Sequence, residues 1–170
     1  VRVDLPDSIT GIGDYAFNNC KCLERIVLPD NITSLGSRIF AKCEKLTSIN
    51  VDANNQHYKS IDGNLYSKDG TKLIKYAIGK MDTSFVIPNG VTIIGERAFE
   101  GCKMLENIEI PNSVTSIAAS AFAECISLTT VIIPDSVTNI GEFAFFNCIG
   151  LAKIELSKNV LINTMNPLRN

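Results

Sequence analysis

The sequence predicts an α/β solenoid in the loose sense of that class: one coil repeated along an axis, with a parallel β-sheet on one face and short helical turns at the corners. Three observations carry this. Proline recurs at Pro6, Pro29, Pro88, Pro111 and Pro134, at intervals of 23, 59, 23 and 23 residues. Phe17, Phe40, Phe99, Phe122 and Phe145 follow those prolines by eleven residues, and Cys20, Cys43, Cys102, Cys125 and Cys148 follow the phenylalanines by three. Each unit then closes on L-x-x-I-x-I, whose period-two ending is the mark of a half-buried strand. Self-similarity at one fixed period signals a repeat architecture, because a single unit of this size cannot bury its own apolar face and stacked units can.

The elements follow in chain order. Strands are expected near residues 1–5, 23–28, 46–51, 83–87, 105–110, 128–133 and 151–156, stacked about 4.8 Å apart in one parallel sheet. Within each, alternate residues face the core: Ile26 and Leu28 inward, Arg25 and Val27 outward. Proline after the strand fixes φ and removes a ladder donor, so the strand stops there. Gly13, Gly36, Gly95 and Gly141 precede the A-F-x-x-C segment and suit a corner with positive φ, with Ala118 replacing glycine in one copy. The A-F-x-x-C spacing of i, i+3 and i+4 reads as about one helical turn. The five phenylalanines should stack in register through one continuous interior.

The 59-residue interval holds one regular unit (29–51) and one of 36 residues (52–87). Asp62-Gly63 and Asp69-Gly70 are hairpin turn signals. Tyr58–Ile61, Leu65–Ser67 and Thr71–Ala77 read as short strands around them, so the enlarged unit is a β-hairpin insertion, either projecting from the solenoid or packed along one edge. The solenoid spans 1–156. Residues 157–170 lack a further T-x-I-G-x-x-A-F and form a C-terminal cap or tail. Val3 and Leu5 fit the end of a unit whose beginning is missing, as expected for a piece of a longer protein.

Composition narrows function. With 45% hydrophobic residues the 170-residue chain can build a sizeable core. A net charge of −2 without a long basic run argues against nucleic acid. The apolar runs fall far short of the roughly 20 residues that cross a bilayer, so no membrane insertion is expected.

The unit I-P-x-x-V-T-x-I-G-x-x-A-F-x-x-C-x-x-L, read from Ile110 to Leu128, resembles the BspA-type leucine-rich repeat. Ser60 to Ile74 is likewise similar to the S-x-D-G-x-L-Y-x-K-D-G-T-x-L-I segment found between such repeats. The resemblance covers residues 1 to about 157. It implies a leucine-rich-repeat solenoid in a secreted or cell-surface protein of bacterial type, engaged in adhesion to host proteins and cells. The shared motif residues are structural and carry no binding role to transfer.

The candidates for chemistry are few. Five cysteines recur in phase with Phe and Leu, as expected of a ladder of buried small thiols. Cys22 stands outside that phase as a partly exposed thiol. C-x-C at Cys20 and Cys22 is a poor match to zinc-ligand spacing. His57 is the single histidine, in a polar loop. Glu106, Glu109 and Glu155 read as solvated strand residues. The Asn31-Ile32-Thr33 sequon arises from the repeat itself. No catalytic residues, metal or cofactor are therefore expected, and the chain is expected to be a monomer that binds a protein or glycan. Two surfaces are candidates. One is the outward row of the sheet: Arg25, Val27, Ser48, Asn50, Asn107, Glu109, Thr130, Ile132, Lys153 and Glu155, which otherwise is ordinary solvated sheet. The other is the insertion with Tyr58, Tyr66 and Tyr76, which otherwise pack the hairpin onto the solenoid. The alternatives to a binding module are a structural spacer in a larger surface protein and a thiol-dependent enzyme.

Overall fold

The computed structural model describes residues 1–156 and Leu161–Ile162. In chain order the first strands are β1 (Arg2–Asp4), β2 (Gly11–Ile12), β3 (Arg25–Leu28), β4 (Ser34–Leu35) and β5 (Ser48–Val51). The enlarged unit supplies β6 (Tyr58–Ile61), β7 (Asn64–Ser67), β8 (Lys72–Lys75) and β9 (Ser84–Val86). The later coils supply β10 (Ile93–Ile94), β11 (Asn107–Glu109), β12 (Ser116–Ile117), β13 (Thr130–Ile132), β14 (Asn139–Ile140), β15 (Lys153–Glu155) and β16 (Leu161–Ile162). The cap-or-tail reading of 157–170 lies outside the described residues apart from the last pair.

All seven expected sheet strands form, but they make two sheets rather than one: β1-β3-β5 and β9-β11-β13-β15, each parallel. Arg2, Arg25 and Ser48 are in register across the first, and Ser84, Asn107, Thr130 and Lys153 across the second. A second ladder of two-residue strands, at the T-x-I part of the repeat, runs through β10, β12, β14 and β16. Thr33, Thr115 and Thr138 buttress that side, each Oγ1 donating to the carbonyl of the threonine 23 residues earlier.

Among the described residues there is no helix, which corrects the expected helical turns. The A-F-x-x-C spacing is real, but the backbone closes separate three-residue turns, such as Cys102 N–H to the Phe99 carbonyl at 3.0 Å, rather than a helix. Alternate residues send their N–H groups to the next coil instead: Arg97 to the Ala119 carbonyl, Phe99 to Ala121 and Gly101 to Ala123, at 3.1, 2.8 and 2.9 Å. An α-helix would keep those bonds within one segment, four residues back. Residues two before and two after the phenylalanine sit in the left-handed region: Tyr15 and Asn19, Arg38 and Lys42, Ser120 and Glu124, Phe143 and Asn147, with φ of 54–61°. In the Phe99 coil the equivalent positions, Arg97 and Gly101, also have positive φ and are among the residues whose N–H groups reach the neighbouring coil.

The corner glycines need a different account from the one expected. Gly36, Gly95 and Gly141 do not have positive φ. They are small because the previous coil lies against them. A Cβ on Gly141 would stand 2.4 Å from the Ala119 nitrogen, and one on Gly95 2.6 Å from the Leu73 oxygen. Gly13, in the first coil, meets nothing within 4 Å.

The insertion neither projects nor lies along an edge. Strands β6, β7 and β8 form an antiparallel sheet that joins the second ladder through β8, where Lys72 pairs with Ile93 and Leu73 with Ile94. The hairpin tip closes on β5: Ile49 N–H donates to the Gly63 carbonyl at 2.8 Å, and Ser60 Oγ to the Ile49 carbonyl at 2.8 Å. The sheet therefore acts as a septum. Leu65, Tyr58 and Ile74 pack on a core built from residues 3–51, while Tyr66, Leu73 and Ile61 pack on one built from residues 76–154. Period-two alternation, which usually separates core from solvent, here separates one core from another. The expected single interior is thus two interiors. Phe17 and Phe40 stack at 5.8 Å in the first; Phe99, Phe122 and Phe145 stack at 5.0 and 5.2 Å in the second.

Candidate functional site

The outward sheet positions are built by alternation. Core-facing Ile26, Ile49, Ile108 and Val131 are buried, so their strand neighbours must face away. Arg25, Asn50, Asn107, Glu109, Ile132, Lys153 and Glu155 are exposed, and Val27, Ser48 and Thr130 are half-buried. They fall on two separate patches, because the septum parts β5 from β9. Arg25, Val27, Ser48 and Asn50 belong to the first sheet, with Ser48 Oγ donating to Asn50 Oδ1 at 2.9 Å. Asn107, Glu109, Thr130, Ile132, Lys153 and Glu155 belong to the second. There Lys153 pairs with Glu155 on the same strand.

Four further outward residues complete these rows: Arg2 and Asp4 on β1, and Ser84 and Val86 on β9. The signal for the last two was present. Phe85 and Ile87 hold core positions, and 84 and 86 lie 23 residues before Asn107 and Glu109.

The insertion tyrosines are a correction. Tyr66 is 0% exposed and Tyr76 2% exposed, so neither belongs to a binding surface. Tyr76 stacks on Phe99 at 5.2 Å and meets Phe85 edge-on at 4.9 Å. It lies 23 residues before Phe99, so it is the repeat's aromatic in disguise, and its N–H donates to the Ala98 carbonyl at 2.9 Å. Burial pushes its phenol well above the usual range and that of Tyr66 up to about 12. Tyr58 is half-buried, packs on the first core, and donates to the Thr33 carbonyl at 3.3 Å.

The thiols are all free. Cys43, Cys102, Cys125 and Cys148 are buried, Cys20 is half-buried and Cys22 is exposed. The Cys43, Cys125 and Cys148 thiols donate to the phenylalanine carbonyl 26 residues earlier at 3.0–3.2 Å. Burial raises the Cys43 and Cys125 pKa, which disfavours the nucleophilic thiolate. His57 is exposed, with its ring 6.3 Å from that of Tyr58. No group of three or more metal-ligating side chains occurs among the described residues.

Buried Asn55 and Asn64 and half-buried Lys75 escaped sequence reasoning. Asn55, 0% exposed, donates from Nδ2 to the Pro29 and Ile32 carbonyls at 2.9 Å each and accepts from the His57 and Tyr58 N–H groups at 2.8 Å. Lys75 Nζ donates to the Arg97 carbonyl at 2.9 Å, and desolvation pushes its pKa down.

Known proteins share this architecture. A leucine-rich-repeat protein from Eubacterium ventriosum is 34% identical with a TM-score of 0.86, over 92% of this chain and 42% of its own. The pneumococcal vaccine antigen PcpA is 26% identical at a TM-score of 0.70, over 93% and 51%. A leucine-rich cell surface protein from Faecalibacterium prausnitzii is 29% identical at 0.64, over 88% and 52%. The chain thus spans about half the length of these neighbours or less. No curated protein matches it. Six copies of the BspA type leucine rich repeat region match across residues 1–77 and 75–166, and the chain belongs to that family.

Proposed function

We propose that this chain is a non-catalytic binding module of a secreted or cell-surface protein, recognising a protein or glycan through the outward face of its sheets. One observation carries the reading. The parallel ladders set side chains in solvent-facing rows, and these rows leave Val86 and Ile132 59% and 57% exposed. These two side chains lie two strands apart with Glu109 between them, so this face offers a partner both apolar area and charge. Solenoids present broad faces of this kind because each coil repeats the same outward positions. The neighbours support the location: one is a cell surface protein and another a vaccine antigen. Burial shields the Cys43, Cys102, Cys125 and Cys148 thiols from substrate, which leaves exposed Cys22 and half-buried Cys20 as the thiols a thiol-dependent alternative would have to use.

The test is capture of the chain by arrays of immobilised matrix proteins and glycans. Two face variants are compared with the parent, Arg25→Glu with Asn50→Lys and Asn107→Lys with Thr130→Glu. Loss of a captured ligand in one variant, with an unchanged melting temperature, supports the reading. Capture untouched by either variant would sink it.

A further inference from the structure

This inference rests on the binding-module reading and narrows it to one half of the sheet and one kind of partner. The two sheet faces differ in charge. The three-stranded half exposes Arg2, Asp4 and Arg25, with Arg2 paired to Asp4 at 2.8 Å and Arg25 left in excess. The four-stranded half carries a row that reads, strand by strand, Val86, Glu109, Ile132, Glu155. This row lines a shallow depression of about 810 Å³, joined by Asp135 and Leu156. Its walls hold three carboxylates and no lysine or arginine. Among the described residues, Lys153, beside it, pairs with Glu155, and neither Glu109 nor Asp135 has an ion-pair partner.

Spacing selects among protein partners. The row advances by one strand per residue, about 4.8 Å. An α-helix laid along the solenoid axis advances about 5.4 Å per turn. An extended chain in the same direction presents same-face residues every ~6.8 Å. Over the three steps of the row the mismatch is about 2 Å for the helix and about 6 Å for the extended chain. Only the helix keeps each of its turns opposite one residue of the row. We propose that the Val86–Glu109–Ile132–Glu155 row docks an amphipathic helix of a protein partner, which presents apolar and basic side chains on alternate turns of one face. The apolar turns cover Val86 and Ile132, and the lysines or arginines meet Glu109 and Glu155. This is helix-in-groove recognition with a flat sheet supplying the groove, and the charges set register and orientation.

A synthetic helix carrying leucine and lysine on alternate turns of one face, and its counterpart with glutamate for lysine, provide the probe. Fluorescence anisotropy reads the dissociation constants. The lysine peptide is expected to bind at least about tenfold tighter than the glutamate peptide, with the advantage shrinking as salt rises. Glu109→Lys with Glu155→Lys should remove about tenfold or more of the affinity, and Ile132→Thr, which suits a strand, should weaken it without altering the melt. Arg25→Glu should leave it unchanged. Equal binding of the two peptides, or indifference to the Glu109/Glu155 pair, overturns the inference. So does a heparin oligosaccharide captured in place of the peptide. Should an arrayed ligand be held through Arg25 and Asn50 instead, this inference falls and the module reading stands. Should neither peptide nor arrayed ligand bind, both fall.

Discussion

Asn55 occupies the place that Ile32 holds one coil earlier, and it is the residue on which the enlarged unit hinges. Its side chain satisfies two carbonyls of the preceding coil and two N–H groups of its own, at 2.8–2.9 Å. Asn55→Ala strands the Ile32 carbonyl and the His57 and Tyr58 N–H groups, while the Pro29 carbonyl keeps the Ile32 N–H at 3.3 Å; buried unpaired backbone groups cost about 1–3 kcal/mol each before relaxation. A loss of roughly 3 kcal/mol or more is expected in urea unfolding. Asn55→Leu, which restores the apolar repeat residue, should do no better, because the Ile32 carbonyl and the His57 and Tyr58 N–H groups remain unmet. Tyr66 poses the opposite case. Its hydroxyl is buried without a partner among the described residues. Burial first, and the Asp62 charge second, raise its pKa from 10.0 to about 12. The folded state therefore holds the proton more tightly than the unfolded chain. This contribution is complete below about pH 10 and disappears as pH climbs to about 12. Tyr66→Phe should raise stability at neutral pH by about 1 kcal/mol and shift alkaline unfolding upward, as followed by circular dichroism along a pH series.

At the scale of the element, the repeat unit is a closed ring of backbone held to its neighbours on every side. The main ladder, the second ladder and the A-F-x-x-C segment each pass hydrogen bonds to the next coil. Close approach at the corners follows, which is why Gly141→Ala is expected to cost on the order of 2–4 kcal/mol. Its new Cβ would meet three backbone atoms of Ala118 and Ala119 at 2.4–2.9 Å, where no flexible side chain can yield. Ala118 is the natural comparison, because the fold accepts a methyl group at its own corner, and its reversion to Gly should be nearly neutral. Differential scanning calorimetry on the pair tests both. The same element shows what a sequence can and cannot convey. Which residues face inward was legible, since 23-residue spacing and period-two alternation record burial directly. The backbone path at A-F-x-x-C was not. Spacings of three and four residues describe neighbours on one side of any tight curl, and Arg38, Lys42 or Glu124 in a left-handed conformation leave no mark on composition. Tyr76 was legible in hindsight from its distance to Phe99, but two residues are missing between Leu73 and Tyr76 relative to Ile94 and Phe99. That deletion shifts the second-ladder register from 23 to 21 and hides the repeat. The outward rows could be read from alternation alone. Their division into two patches could not, because it depends on where the hairpin lodges.

For the whole molecule, the septum decides how the solenoid unfolds. A repeat array with one uninterrupted interior passes stability from coil to coil by nearest-neighbour contact. Here Tyr66 and Leu65, adjacent in sequence, point into different cores, so the coupling between halves runs through one three-stranded sheet. Direct bonds across the seam are few among the described residues. They include Gly79 N–H to the Leu46 carbonyl at 2.8 Å and the Lys103–Glu44 ion pair at 2.6 Å, which is exposed and worth little. The halves also differ in quality. The second core has three stacked phenylalanines buried to 1% exposure or less, while Phe17 at the outer end of the first is only partly covered. The first half should therefore open at lower denaturant. Ile26→Ala, costing about 2–5 kcal/mol, is expected to accelerate hydrogen exchange across β1, β3 and β5 and leave β11 and β13 protected. Phe122→Ala, of similar or larger cost, should bring the second half down to meet the first and merge two transitions into one. Residue-resolved exchange in both variants checks this, and uniform loss of protection along the chain in the Ile26 variant would show that the septum transmits rather than separates. If the halves do separate, they can hold ligand independently. A partner seated on the Val86–Glu155 row would then stabilise β9 to β15 by mass action and leave β1 to β5 where they were.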